Sequence, residues 1–174
     1  MNISKAIVAL SIALASPVAA ESWDLGTVGN WHLRMSENSE GLECGMDNMP
    51  EGRADFSISV NSEGVYFLLV TNSDPAIVDA ESIYDDVDFK ITSSSMNKTW
   101  TLRDALLFSQ DQVVHIFVVI GEDPYQRDFM SDIVKGDMLR LPGNKEDIAT
   151  WTLGESATAV EMLETCRMRI MGEL

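Results

Sequence analysis

Asp55-Phe56-Ser57-Ile58-Ser59-Val60-Asn61-Ser62-Glu63-Gly64-Val65-Tyr66-Phe67-Leu68-Leu69-Val70-Thr71 is the stretch that decides the fold class. Phe56, Ile58 and Val60 alternate with polar residues, the period of two that sends successive side chains to opposite faces of a sheet. Residues 55–60 therefore read as a half-buried strand. Asn61-Ser62-Glu63-Gly64 has turn composition, with polar side chains that bond locally and a glycine free of the Cβ penalty. Val65 to Thr71 is apolar almost without interruption, which implies burial on both faces or a central place in the sheet. Strand, turn and strand make an antiparallel hairpin, and the domain around it is expected to be mostly β.

The pattern continues on both sides. Gly29-Asn30-Trp31-His32-Leu33-Arg34-Met35 alternates, and the polar run Ser36 to Gly41 suits a turn. After an acidic loop from Asn72 to Asp86, Val87 to Thr92 alternates again and pairs through Ser93–Asn97 with Thr99–Leu102 as a second hairpin. Arg103-Asp104 separates that strand from Ala105-Leu106-Leu107-Phe108, and Val113 to Ile120 reads as a buried strand. Asp123-Pro124 is a helix-start signal for Tyr125–Val134, because Asp accepts amide hydrogen bonds as N-cap and Pro suits the first helical position; Gly136 stops the helix. Asp137–Leu141 and Ile148–Leu153 are extended, with Pro142-Gly143-Asn144 turning between them. In Ser156–Met171, the residues Ala157, Val160, Leu163, Cys166 and Ile170 recur at steps of three and four, one face of a helix that Gly172 ends. The expected fold class is mainly β (α+β): an antiparallel sheet pair or sandwich, with one short helix and a C-terminal helix packed on the sheet.

Residues 1–20 have the three parts of a secretory signal: Lys5 near the start, an apolar stretch from Ala6 to Ala15, and the small-residue end Val18-Ala19-Ala20. About ten apolar residues fall short of the roughly twenty that a spanning helix needs, so cleavage before Glu21 is expected rather than anchoring. Residues 21–174 then form one domain of ordinary size, exported to the periplasm or beyond a bacterial cell. Cys44 and Cys166 are the two cysteines of the chain. In an oxidising compartment they are expected to pair, tying the early sheet to the last helix. Neither lies in a Cys-x-x-Cys pair or beside a histidine in sequence, the settings that activate a thiolate.

Lys and Arg number 12 against 28 Asp and Glu, a formal net charge of −16, and removal of the leader with Lys5 and no acid takes it to −17. That balance argues against nucleic acid and anionic membrane, whose phosphates call for basic patches. No phosphate-cradling glycine loop, dinucleotide fingerprint or zinc spacing is present, so no cofactor and no metal are assigned. Gly154-Glu155-Ser156-Ala157-Thr158 approaches a nucleophile elbow but has Thr where the tight turn needs Gly. Asp79, Glu81, Tyr84, Asp85 and Asp86 form the candidate interaction surface. The same acids read equally as a solvated loop, or as weak calcium ligands whose spacing differs from an EF-hand.

The mature chain resembles small exported proteins of alphaproteobacteria. The likeness rests on Trp23 to Trp31 with Gly29, the early Cys44, and the ending Thr152-Leu153-Gly154-Glu155-Ser156-Ala157-Thr158-Ala159-Val160-Glu161-Met162-Leu163-Glu164-Thr165-Cys166. More distantly it is similar to the invasion-associated locus B family, which typically has an aromatic residue where this chain has Glu155. The resemblance implies a disulfide-stabilised periplasmic domain with a binding or envelope role, and it supplies no catalytic residues. The expected function is that of a non-catalytic interaction protein with an envelope partner; an acidic-cleft hydrolase and a calcium-binding exported protein are the alternatives.

Overall fold

Alternation of apolar and polar residues is converted into one large antiparallel sheet. The computed structural model describes residues 21–39, 41–48, 54–72, 83–110, 113–120, 125–143 and 147–174. The expected leader, the helix-start residues Asp123 and Pro124, and the candidate surface residues Asp79 and Glu81 lie outside them. Strands β1 (Glu21–Val28), β2 (Trp31–Asn38), β3 (Gly41–Asn48), β4 (Ala54–Asn61) and β5 (Tyr66–Asn72) form a meander. Strands β6 (Ile83–Thr92), β7 (Asn97–Gln110) and β8 (Val113–Ile120) form a second one that enters in reverse, so that β8 pairs with β5. Helix α1 (Tyr125–Lys135) leads to β9 (Met138–Leu141) beside β6, then to β10 (Ala149–Thr152), and α2 (Ser156–Ile170) follows.

The strand order is β1-β2-β3-β4-β5-β8-β7-β6-β9-β10, one continuous sheet of ten strands. The antiparallel sheet with a short helix and a docked C-terminal helix is thus as expected, but the two halves are joined rather than stacked as separate sheets. The β5–β8 ladder, from Tyr66↔Ile120 to Asn72↔Val114, makes the join. The hairpin at 61–64 is set by Asn61, whose Oδ1 accepts from the backbone N–H of Glu63 (3.0 Å) and Val65 (2.9 Å), with Gly64 at φ +78°.

Three boundaries differ from the sequence reading. β6 starts at Ile83, so Tyr84, Asp85 and Asp86 belong to a strand instead of a loop, drawn into the ladder by Ile83↔Leu107, Tyr84↔Leu106 and Asp85↔Ala105. β7 runs through Arg103-Asp104 without a break, because Asp104 takes a left-handed φ of 55° and absorbs an irregularity opposite Asp86. β2 continues to Asn38, leaving a much tighter turn before β3 than Ser36–Gly41.

The inner face carries the core, in which Leu33, Met46, Phe56, Ile58, Leu68, Phe89, Ile91 and Leu139 are fully enclosed. The sheet curls until β10 meets the ends of β2, β3 and β4, and side chains close that gap. Trp31 Nε1 donates to Gly154 O (3.1 Å), Asn48 Nδ2 to Thr152 O (2.8 Å), and Trp151 Nε1 to Ala54 O (3.0 Å). Between these bonds Phe56 packs against Trp31 and Trp151, with ring centroids 6.2 and 5.5 Å away.

Helix α2 lies on β2, β3 and β4 and against α1. Ser156 Oγ donates to Ile133 O (3.0 Å) in a buried contact between the helices, and Gly136 ends α1 where a Cβ would come within 2.5 Å of Ile91 Cγ2. The inward face of α2 is Ser156, Ala159, Leu163 and Cys166, whereas the expected Ala157 is exposed. The inward bond of Ser156 at one end and Cys166 toward the other set the rotation of the helix. Cys44 and Cys166 are disulfide-bonded, with Cα atoms 6.0 Å apart across 122 residues of sequence. A second tie joins α2 to β5: the Tyr66 hydroxyl donates to Glu164 Oε1, and Arg167 Nε donates to Glu164 Oε2 at 2.7 Å. Burial first, then the hydrogen bond and charge of Glu164, push the Tyr66 phenol well above its ordinary value of 10.0.

Two outcomes are expected. Cys44→Ser with Cys166→Ser loses about 2–4 kcal/mol of unfolding free energy in urea titrations, because the closed loop is long. Tyr66 contributes fully while both states hold the phenolic proton. Above about pH 10 the unfolded chain releases it and the folded chain does not, so stability drains as pH rises. Between about pH 9 and about pH 11 the urea midpoint of the native protein should fall further than that of Tyr66→Phe.

Candidate functional site

The alternation that fills the core leaves the other face of the sheet to solvent, and that face divides into two territories. Over β1, β2 and β3 it is polar: Asp24, His32, Arg34, Glu43 and Asp47. His32 Nε2 lies 3.2 Å from Asp24 Oδ1, and its Nδ1 lies 4.0 Å from Asp47 Oδ2. Arg34 Nε donates to Asp47 Oδ2 at 3.0 Å, and its Nη1 sits 3.9 Å from Glu43 and 3.3 Å from Ser36 Oγ. The guanidinium lies across Gly45, where a Cβ would be 3.1 Å from Cζ. The glycine is what lets Arg34 settle on the sheet and meet Asp47, itself almost buried. Acid and base here satisfy one another. Ser36 Oγ accepts from Arg34 rather than meeting the imidazole, and the carboxylates face Arg34 and His32, the arrangement of a structural polar network.

Over β5, β8 and β7 the same face is apolar. Register places Leu69 opposite Phe117 and Phe117 opposite Leu106, Phe67 opposite Val119, and His115 between Thr71 and Phe108. Phe67 stacks with Phe117 at 5.6 Å between centroids and Phe108 with His115 at 4.8 Å. Val119 is 50% exposed; Phe67, Leu69, Leu106, Phe108 and Phe117 are partly exposed and stand outside the core cluster on the opposite face. Both described helices are on the other side, with α2 on β2–β4 and α1 carrying Phe129 into the core. Phe67, Leu69, Leu106, Phe108, Phe117 and Val119 form a contiguous aromatic-aliphatic patch that lies outside the core cluster.

No protein-family model, no curated protein and no solved structure matches this chain. The chemistry of its residues therefore carries the reading alone.

Of the five residues singled out from the sequence, the structure brings Tyr84 into the row Ser57, Leu69, Phe117, Leu106 by its pairing with Leu106. Asp85 pairs with Ala105, and Asp86 is exposed beside the β7 irregularity. Among the described residues no group of three or more His, Cys, Asp or Glu is arranged to hold a metal ion, and no helix is long and apolar enough to cross a membrane. Ser156, the serine of the elbow-like motif, is buried and donates to a backbone carbonyl. Sequence reasoning passed over the apolar patch. Its signal was the strong apolarity of Val65–Val70 and of Val113–Ile120, the latter interrupted only by His115, which fits central strands covered on one face only.

Neighbouring residues on β8 separate the two faces experimentally. Val119→Ser should change unfolding free energy by less than about 1 kcal/mol, as a substitution at an exposed strand position. Val118→Ser, one residue away but 2% exposed, should cost at least about 2 kcal/mol through lost packing and a buried hydroxyl. Equal losses in denaturant titrations would mean that the outward face is covered.

Proposed function

We propose that this chain is a non-catalytic, periplasmic or secreted interaction protein of the bacterial envelope that docks a partner protein on the outward face of β5, β8 and β7. The observation that carries the reading is the patch centred on Phe117. Solvent-facing aromatic and aliphatic side chains in contact with one another gain from removal of water, and a rigid central part of a sheet presents them with little ordering to do on binding. Aromatic residues at the middle of a patch are the usual anchors of protein interfaces. The buried disulfide fits an oxidising destination, as does the leader read in residues 1–20. Against a hydrolase built on an acidic cleft stands the engagement of Asp24, Glu43 and Asp47 with His32 and Arg34.

Capture from envelope extract tests this, using immobilised mature protein with its disulfide intact beside the Phe117→Ser, Val119→Ser double variant. A partner retained in near-stoichiometric amount by the native protein should drop at least tenfold on the variant, whose circular dichroism stays native. Equal retention by both would remove the docking face from consideration.

A further inference from the structure

The chemistry of the docked partner follows from what surrounds the patch, and it rests on the docking reading above. With strands about 4.8 Å apart and about 3.4 Å of rise per residue, the ground from β5 to β7 and from His115 to Val119 measures about 10 by about 14 Å. That is the width of one helix or one extended segment. It is also well short of the roughly 800 Å² per partner that a specific interface buries, so the margin must supply much of the recognition. The margin is acidic. Asp55 stands on β4 opposite Thr71, the strand neighbour of His115. On the far side Asp86 and Asp88 are exposed on β6 and Asp104 is exposed in the β7 irregularity, with two cations among them, the exposed Arg103 of β7 and the half-buried Lys90 two residues along β6 from Asp88. Asp88 accepts the Thr101 hydroxyl at 2.6 Å. Behind these lies a whole-chain charge of −16.

We infer that the segment seated on the Phe117 patch is a cationic amphipathic polypeptide, its apolar side chains on Phe67, Leu69, Phe117 and Val119 and its Lys or Arg residues over Asp55, Asp86, Asp88 and Asp104. Opposite charge at the margin steers such a segment in and fixes its orientation, while the apolar centre holds it. A second copy of this chain brings the same acidic margin to the same place and is repelled, and an anionic lipid surface is repelled likewise.

Fluorescence anisotropy with three synthetic amphipathic peptides tests the inference: one of Leu and Lys, one with Glu replacing every Lys, and one with Ser replacing every Leu. The proteins are the mature disulfide-bonded chain, the Phe117→Ser, Val119→Ser variant, and a margin variant with Asp55→Asn, Asp88→Asn and Asp104→Asn. The Leu/Lys peptide should bind the native protein, lose at least tenfold in affinity on the patch variant and severalfold on the margin variant, and weaken as salt rises; the Ser/Lys peptide should bind at least tenfold more weakly. Leu/Glu binding as tight as Leu/Lys, or an unchanged margin variant, overturns the charge assignment while leaving the docking face in place. Leu/Lys binding undiminished on the patch variant overturns the inference altogether, since charge elsewhere then holds the peptide. Concentration-dependent dimerisation in sedimentation, abolished by the patch substitutions, assigns the face to a second copy and equally overturns it.

Discussion

Closure of the curled sheet is the constraint on which the rest of the structure depends. β10 is four residues long and ends the strand order, so its outer backbone groups have no neighbouring strand to bond. Asn48 of β3 takes that place at the carbonyl of Thr152, Trp31 of β2 reaches the carbonyl of Gly154 just past the strand, and Trp151, from β10 itself, reaches back to Ala54. The Ala54 carbonyl is buried, where an acceptor left without a donor costs more than the bond itself gains, and with the two part-buried bonds this contact holds the last strand in place. The start of α2 follows from there. Glu155 turns the chain at a φ of 61°, Ser156 locks onto Ile133, and the helix axis then carries Cys166 to Cys44.

The two faces of the sheet meet different fates for a reason of geometry. Alternation assigns every second residue to each face, but the two described helices and the curled-over edge all lie on one of them. In β2 and β3 the outward positions are polar and resolve into the Arg34 and Asp47 network over Gly45. In β5 and β8 they are Phe67, Leu69, Phe117 and Val119, and both described helices lie on the opposite side. A sheet centre that is apolar on its solvent face retains a driving force for association after the chain has folded, and the acidic margin around it biases what can associate.

The hairpin at 55–71, the alternating strand at 87–92 and both helices were legible because each rests on a short-range signal: period two, turn chemistry or helix stops; the pairing of the cysteines was legible from their count, two in the chain. β3 was harder, since Gly41 and Gly45 dilute its pattern even though Cys44, Met46 and Asn48 alternate inward. Gly45 is there for Arg34, a contact that depends on the neighbouring strand. Tyr84 and Asp85 read as loop because local composition is acidic, and pairing with β7 overrode it. The Phe117 patch was hidden for a related reason: a strongly apolar strand looks the same whether both faces are covered or one.

By itself the sequence determined the class of the fold, most of its strand-forming segments, its acidity and the identity of its covalent tie, because these follow from periodicity, composition and the count of cysteines. Only the tertiary structure decided that ten strands share one sheet, that β8 lies against β5, that Ser156 rather than Ala157 faces inward, and that the apolar ground around Phe117 stays uncovered by the described helices. Those outcomes turn on which distant segments become neighbours. Ladder pairing, edge closure and helix rotation are set by contacts between residues far apart in the chain, and local pattern carries no record of them.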